Sequence, residues 1–260
     1  MATASRSTRK PAAKPARKAA PKRTAKKKPK VFKWQKMAGK NSEIEQVIRT
    51  LGQEKFVGRA QRYDEEASFP FENYDDMRDA GILAMTVPKS LGGLGVEYPD
   101  YALLAAEMGR WCGATALTFN MHACTPLWTG HIADDLDMPA ADRKQHKKNR
   151  ELHFSRIVEN GAIFAQPFSE GSAAAAGKAP FGTMAAKVDG GWLLNGKKIF
   201  ASLSGAATYY GVLCTEDKPD RSVRDTLFMA VPADSEGLSI VGPWDPVGMR
   251  ATVSRTLLLE

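Results

Sequence analysis

The sequence predicts an α+β protein in which an all-α helical N-terminal domain precedes an antiparallel β-barrel or sandwich domain, behind a disordered basic tail. Residues 1–40 hold 15 Lys or Arg and no Asp or Glu. Apolar residues then recur with helical spacing as far as residue 160, and short alternating runs follow. Helices followed by many short strands are typical of a helical domain joined to a sheet or barrel domain. The predicted domains are therefore a tail (1–40), a helical domain (41–160) and a β domain (161–260).

The tail has two possible functions and one reading without a function. Its residues are almost entirely Ala, Lys, Arg, Pro, Ser and Thr, so it cannot bury enough apolar surface to repay the entropy of ordering. It could bind nucleic acid or another polyanion through phosphate contacts. It could also be a mitochondrial transit peptide, because it lacks acids and carries Ser and Arg. Otherwise it is a solvated tail, or an upstream stretch joined to the chain by a wrong start site.

Charge and length set the limits for the rest of the chain. The formal charge of +8 divides into a strongly basic tail and a body with 22 basic and 29 acidic residues. About 220 residues suffice for one large or two small domains. No run of 18 apolar residues occurs, so no membrane span is expected, and three scattered cysteines favour a reducing compartment. We expect a cytoplasmic protein, or one of the mitochondrial matrix if the source is eukaryotic.

The helical half begins with a capping-box spacing, in which Ser42 and Glu45 would each satisfy the other's backbone N–H. A second helix is predicted over residues 74–80, with Gly81 as its left-handed exit. Pro99 suits the first turn of a third helix. Residues 113–128 are nearly all apolar or small and predict a buried helix, and a polar helix within residues 137–161 should end at Gly161.

Several residue types with chemical potential have a simpler structural interpretation. Trp111 and Trp128 are expected in the core, and Cys112, His122 and Cys124 are expected to pack rather than react. His131 lies near three aspartates, but a solvated helix end accounts for that spacing without a metal. The Gly-rich stretch at 92–95 lacks the Lys-Ser/Thr of a phosphate loop and predicts a plain turn.

The second half alternates with a period of two. Residues 162–168 predict a strand, and strands at 184–188 and 192–194 flank a turn at Asp189. Asn195-Gly196 predicts a hairpin into a strand at 198–202, because Asn-Gly between alternating runs favours a tight turn. The remaining strands are expected at residues 208–214, 226–231, 237–241 and 254–259.

Four blocks in this order resemble the acyl-CoA dehydrogenase family. They are "FPFENYDDMRDAGILAMTVPKSLGGLGVEYPDYALLAAEMGRWCGATALTFNMH" (69–122), "FAQPFSEGSAAAAG" (164–177), "VDGGWLLNGKKIFASLSGAATYYGVLC" (188–214) and "VGMRATVSRTLLLE" (247–260). The resemblance covers most of residues 43–260. It implies a flavoprotein in which FAD takes a hydride from an acyl-CoA thioester while a carboxylate removes the α-proton.

The resemblance also implies which residues contact the cofactor. Ala165 and Gln166 would hydrogen-bond the edge of the flavin ring, where negative charge develops. Gly171 and Ser172 would face its pyrophosphate, and Ser172 would also contact substrate. Phe200 would pack against the ring in the place of the family's Trp, with Ser202 in the place of a hydroxyl donor.

The sequence also departs from the family pattern. The family loop Thr-Glu-Pro-Gly-x-Gly-Ser-Asp has Gln166 in the place of Thr and Ala173 in the place of Asp. In the family a C-terminal helical bundle follows this point and supplies the catalytic base, so the catalytic residue stays unknown. A homo-oligomer or a partner chain is expected to supply that bundle. The alternatives are a non-catalytic or split subunit, a flavin monooxygenase of the same fold, and a polyanion-binding protein acting through residues 1–40.

Overall fold

The computed structural model describes residues 41–129 and 134–260. The predictions for the tail and for His131 concern residues outside these ranges. Within them, a helical part is followed by a curled, seven-stranded mixed sheet, which confirms the predicted α+β class. None of the helices in the described part of the chain has the length and hydrophobicity that a membrane span requires.

Six α-helices are described within residues 41–129 and 134–160, and most of the predicted helices are confirmed. They are α1 (Ser42–Leu51), α2 (Val57–Glu66), α3 (Phe71–Asp79), α4 (Tyr98–Gly109), α5 (Gly113–Leu127) and α6 (Ala140–Asn160). Gly81 and Gly161 have positive φ and follow α3 and α6, as predicted. The helical part ends at Asn160, where the sequence pattern changes. Whether the helical and β parts are separate domains with that boundary stays a prediction.

The predicted capping box at Ser42 is wrong. Ser42 is the first helical residue, and Asn41 precedes the helix without a side-chain cap bond. The Asn41 amide instead donates to the Asp100 carboxylate at 2.7 Å, and the Glu45 carboxylate pairs with Arg49 at 2.7 Å. The Glu45 carboxylate that the spacing assigns to the cap is therefore engaged by Arg49 within the helix.

A π-helical segment, Gly52–Phe56, joins α1 to α2 without a break. The Trp111 ring lies against Gly52 so closely that a Cβ there would be 2.1 Å from Trp111 Cδ1. A glycine is required at this position because no side chain fits beneath the indole.

Strand β4 is the centre of the first half of the sheet, because it pairs with β1, β2 and β5. Its strands are β1 (Phe164–Ala165), β2 (Met184–Val188), β3 (Gly191–Ala201), β4 (Tyr209–Glu216), β5 (Thr226–Pro232), β6 (Leu238–Val241) and β7 (Arg255–Leu259). Strand β5 pairs with β4 along one edge, antiparallel. Strands β1 and β2 pair in parallel with the other edge of β4, one at each end of that strand. These two parallel pairings were not part of the antiparallel prediction.

The predicted hairpin at Asn195-Gly196 is wrong. Both residues lie inside β3, and the turn that joins β2 to β3 is Asp189-Gly190. Strand β3 pairs with β2 as far as Asn195 and with β7 from Gly196 onward. A Cβ on Gly196 would lie 2.6 Å from the Thr183 Cα, so this glycine serves a close backbone approach and not a turn.

The main hydrophobic core contains residues from both parts, including Phe119 of α5 and Tyr210 of β4. The expected packing of Cys112 and His122 is confirmed, since both are buried. The expectation for Trp128 is wrong, because 40% of its surface is exposed. Trp128 comes directly after the last residue of α5, where the helix leaves the core.

Candidate functional site

The loop after β1 carries the first two predicted contact residues. Ala165 pairs with Tyr210 of β4 and is fully buried, and because its side chain is a methyl group, only its backbone could hydrogen-bond a ligand. Strand β1 ends there because Pro167 has no N–H, and the Phe168 N–H turns back to the Gln166 carbonyl at 3.0 Å. The predicted strand over residues 162–168 is thus reduced to two residues, and the remainder forms the loop.

The Gln166 side chain is buried, and only one of its two polar atoms has a hydrogen-bond partner. Its Nε2 donates to Thr125 Oγ1 of α5, while its Oε1 is buried without a hydrogen-bond partner. The Thr125 hydroxyl can donate as well as accept, so the amide can turn either its oxygen or its NH₂ toward a ligand. A buried polar atom without a partner costs about 1–3 kcal/mol, which a bound hydrogen-bonding group would relieve.

A buried ion pair fixes the same loop to β3. The Glu170 carboxylate lies 2.7 Å from the Lys198 Nζ, and it also accepts from the backbone N–H groups of Gly182 and Thr183 at 2.6 and 2.9 Å. Lys198 also donates to the Leu213 carbonyl of β4. Burial opposes ionisation of Glu170, but these hydrogen bonds prevail and lower its pKa. The carboxylate is therefore charged at neutral pH and holds three segments together.

Gly171 and Ser172 form an exposed, open turn after this ion pair. Gly171 has a φ of 75°, and a Cβ there would meet only the Ile199 side chain, at 3.7 Å. Ser172 Oγ accepts from the Ala174 N–H at 3.3 Å, whereas within the described ranges the N–H groups of Gly171 and Ser172 make no hydrogen bond. Exposed N–H groups beside a glycine suit the close approach of an anionic oxygen.

Phe200 sits in a β-bulge of β3. The pairing with β7 shifts between Lys198 and Ala201, and Phe200 takes a φ of 55°, which is rare for a bulky residue. The bulge releases the Ile199 N–H, which donates to the Ser169 carbonyl at 2.8 Å. The Phe200 ring is 62% exposed and meets Trp244 edge-on. The strained backbone thus presents an exposed aromatic ring beside the loop, and its contact with a flavin stays a prediction.

The Ser202 hydroxyl belongs to a chain of hydroxyls. It lies 2.7 Å from Ser254 Oγ, which lies 2.7 Å from Thr252 Oγ1. Thr252 donates its proton to the Met249 carbonyl, so Ser254 must donate to Thr252 and Ser202 to Ser254. In this arrangement Ser202 presents lone pairs to a ligand, not the proton expected of a hydroxyl donor.

His122 of α5 holds the first residue of β1 through a hydrogen bond. Its Nε2 lies 2.8 Å from the Leu83 carbonyl, and its Nδ1 accepts from the Phe164 N–H at 3.1 Å. Only the neutral ring with its proton on Nε2 makes both bonds. Burial lowers the pKa of His122 to about 4, so the ring stays neutral under ordinary conditions.

The predicted residues therefore fall into two groups. Gly171 and Phe200 lie on segments joined through the Ser169–Ile199 bond and the Glu170–Lys198 pair, with Ser202 next along the chain. Ala165 and Gln166 are held by α5 and β4. Glu170, Lys198, Thr125 and Ser254 were not predicted. One signal for the ion pair was available in the sequence, which is Lys198 within a strand of alternating pattern. A buried lysine needs an acidic partner, and the sequence does not identify Glu170 as that partner. No group of His, Cys, Asp or Glu within the described ranges could hold a metal ion.

Comparison with known proteins places this fold in a family. Residues 11–130 match the profile of the acyl-CoA dehydrogenase N-terminal domain, and residues 168–260 match that of the middle domain. The chain is similar to a putative acyl-CoA dehydrogenase, YdbM, of Bacillus subtilis, with 33% identity over 85% of this chain and 55% of that protein. It is also similar to the short-chain specific mitochondrial acyl-CoA dehydrogenase of Rattus norvegicus, with 27% identity over 84% of this chain and 50% of that protein.

Among solved structures, the fold matches TdsC from Paenibacillus sp. A11-2, a dibenzothiophene monooxygenase solved with FMN bound. The TM-score is 0.69 at 21% identity, over 84% of this chain and 51% of that one.

Because both domain profiles match, the chain belongs to the acyl-CoA dehydrogenase family. It spans about half the length of the curated relatives that it matches.

Proposed function

We propose that the chain binds a flavin, FAD in the first place, and serves as a flavin-dependent oxidoreductase. The observation that carries the proposal is the buried Gln166 amide, which has one end on Thr125 and the other without a partner. A flavin ring edge offers both N–H donors and carbonyl acceptors, so it can satisfy this amide in either orientation. The exposed turn at Gly171 supports the proposal, because it provides room and free N–H groups for a pyrophosphate.

Bound flavin would supply the hydride-accepting chemistry. Gln166 would hold the edge of the ring, the Gly171 and Ser172 N–H groups would bind phosphate oxygens, and Phe200 would cover one face of the ring. Ser202 would accept a hydrogen bond. The Glu170–Lys198 pair would keep the loop and β3 in register. A binding site held by such a network costs little further entropy when the ligand enters.

For the substrate we propose an acyl-CoA thioester that is oxidised between its α and β carbons, with Ser172 among its contacts. The name of the short-chain relative supports this class. No carboxylate within the described ranges is assigned as the base. We propose that the chain works as a homo-oligomer, or that a partner chain supplies the helical bundle that carries the base.

A flavin monooxygenase is the second candidate. It is supported by the likeness in fold to TdsC, whose name states that activity. A monooxygenase consumes oxygen together with reduced flavin, whereas a dehydrogenase passes electrons from acyl-CoA to an acceptor. Oxygen uptake that depends on reduced flavin and an organic substrate would favour this candidate. Reduction of a dye by acyl-CoA would favour the first.

The test of flavin binding is direct. The purified chain is incubated with FAD or FMN, desalted, and examined for the flavin absorption bands and for flavin released by heat. We expect retention of one flavin per chain, with FAD preferred. A protein that stays colourless with both flavins would refute the proposal.

Polyanion binding by residues 1–40 is a separate proposal. Their charge predicts retention on DNA that falls steeply with salt. Deletion of these residues should abolish that retention, and an unchanged salt dependence would exclude this role for the tail.

A further inference from the structure

A cavity of ≈ 300 Å³ lies between the end of α5, helix α6 and the β4–β5 strand pair. Thr125, Trp128 and Phe228 line it on the side of Gln166, and Phe164 and His153 also belong to its wall. This volume is at the small end of the range for ligand pockets. The cavity touches the Gln166 region but has a wall of its own.

Aromatic rings form part of this wall. The Trp128 and Phe228 rings lie 6.0 Å apart with an interplanar angle of 16°, and Phe168 meets Trp128 edge-on at 5.0 Å. Trp128 is 40% and Phe228 39% exposed, although both belong to this ring cluster. Large aromatic faces left in contact with water favour a ligand that covers them, because burial of apolar area is favourable.

Gly211 of β4 lets the Phe228 ring approach. A Cβ at Gly211 would lie 2.8 Å from the ring and 3.2 Å from Gln166 Oε1. The ring is therefore held against bare backbone, and its other face is turned away from β4. The absence of a side chain at Gly211 is thus required for the shape of the cavity.

The arginine in the wall of the cavity already has a counter-charge, and burial disfavours the charged form of His153. The Arg150 guanidinium lies 2.7 Å from the Asp134 carboxylate. His146 Nε2 lies 3.0 Å from the Thr129 carbonyl. Burial, together with the nearby Arg156, lowers the pKa of His153, whose ring lies edge-on to Phe164. A charged ligand would lose hydration without gaining an available counter-charge, so an uncharged one is favoured.

We propose that this cavity binds an uncharged, flat aromatic molecule of one or two rings. The ring cluster supplies apolar contact and edge-to-face partners, and the Thr125 hydroxyl offers one polar contact. The site does not depend on the proposed flavin, because none of its contacts requires that group.

The test is a calorimetric titration of the full chain, without flavin, with indole as the probe. We expect saturable binding of one indole per chain. Phe228→Ala and Trp128→Ala should each weaken it about three- to tenfold, the range expected for loss of one aromatic pair. Phe71→Ala is the matched control, because Phe71 is also an exposed aromatic residue but lies on α3, away from the cavity. Circular dichroism melts show whether each variant is folded.

Three results would overturn the proposal. One is the lack of saturable binding, or equal weakening by Phe71→Ala. Another is tighter binding of indole-3-carboxylate, which adds one negative charge to the same ring and would assign the cavity to anions. The third is displacement of indole by FMN at equal stoichiometry, which would make the cavity part of the flavin site. Failure of flavin to bind at all leaves the indole titration unaffected, so the two proposals fail separately.

Discussion

The Lys198 ammonium group lies 2.7 Å from the Glu170 carboxylate, and the lysine side chain is completely buried. The pair joins the loop that carries Gly171 to the strand that carries Phe200. Lys198 also donates to the Leu213 carbonyl, so two acceptors share the hydrogen bonds of its ammonium group. The shape of the candidate site therefore depends on an ion pair that contacts no proposed ligand.

We expect Glu170→Gln and Lys198→Met each to lower the free energy of unfolding by about 3 kcal/mol, because removal of one partner leaves a buried charge uncompensated. Urea denaturation measures this change. Lys197→Met is the matched control, since Lys197 is the neighbouring residue on β3 and is exposed. It should change the stability by less than about 0.5 kcal/mol. Equal losses of stability in Lys198→Met and Lys197→Met would show that the buried ion pair does not stabilise the fold.

His122 predicts a pH dependence. Its pKa falls from 6.5 in the unfolded chain to about 4 in the fold, so the unfolded state binds more protons between these values. The stability due to neutral His122 is present above pH 6.5 and is lost as the pH falls toward 4. We expect a loss of about 2–3 kcal/mol between pH 7 and 4.5 that is missing in His122→Gln. The same pH slope in both proteins would show that other groups cause it.

Two glycines of neighbouring helical segments should respond in opposite ways to alanine. At Gly52 a Cβ would lie 2.1 Å from Trp111, whereas at Gly58 it would meet nothing within 4 Å. Gly52→Ala should destabilise the chain by about 1–3 kcal/mol through overpacking. Gly58→Ala should stabilise it by up to about 1 kcal/mol through helix propensity. Thermal melts compare them, and tolerance of alanine at position 52 would contradict the observed packing.

The Gln166 amide can be tested with a double variant. Replacing both hydrogen-bond partners with apolar groups of similar shape, Thr125→Val with Gln166→Leu, should change the stability of the flavin-free chain by less than about 1 kcal/mol. The same variant should bind flavin about three- to tenfold more weakly, the equivalent of one hydrogen bond. Fluorescence titration with FAD gives the affinity. Unchanged affinity would remove Gln166 from the proposed site.

The helices could be predicted because their signals are local. Glycine at 81 and 161 and the apolar spacing of α4 and α5 determine structure within a few residues. The predicted hairpin at Asn195-Gly196 was wrong because the glycine there allows the close approach of Thr183, a contact that the local sequence does not reveal. Trp128 was placed in the core for its residue type alone, yet it lies where α5 leaves the core.

The candidate site was predictable only in part. The position of Gly171-Ser172 follows from the order of the four sequence blocks. The Glu170–Lys198 pair and the Ser202–Ser254 contact join residues separated by 28 and 52 positions. Nothing in the local sequence pairs these groups, because the contacts arise from the bulge in β3 and from its pairing with β7.

We propose that flavin binds across the turn at Gly171, and a comparison of two glycine variants tests this proposal. Gly171 and Gly177 have nearly equal left-handed φ values, 75° and 69°, so alanine imposes similar backbone strain at both. Only Gly171 lies in the proposed phosphate contact. FAD titration should show weaker binding for Gly171→Ala and wild-type affinity for Gly177→Ala. Equal affinity in all three proteins, or no binding by the wild type, would contradict the proposed site.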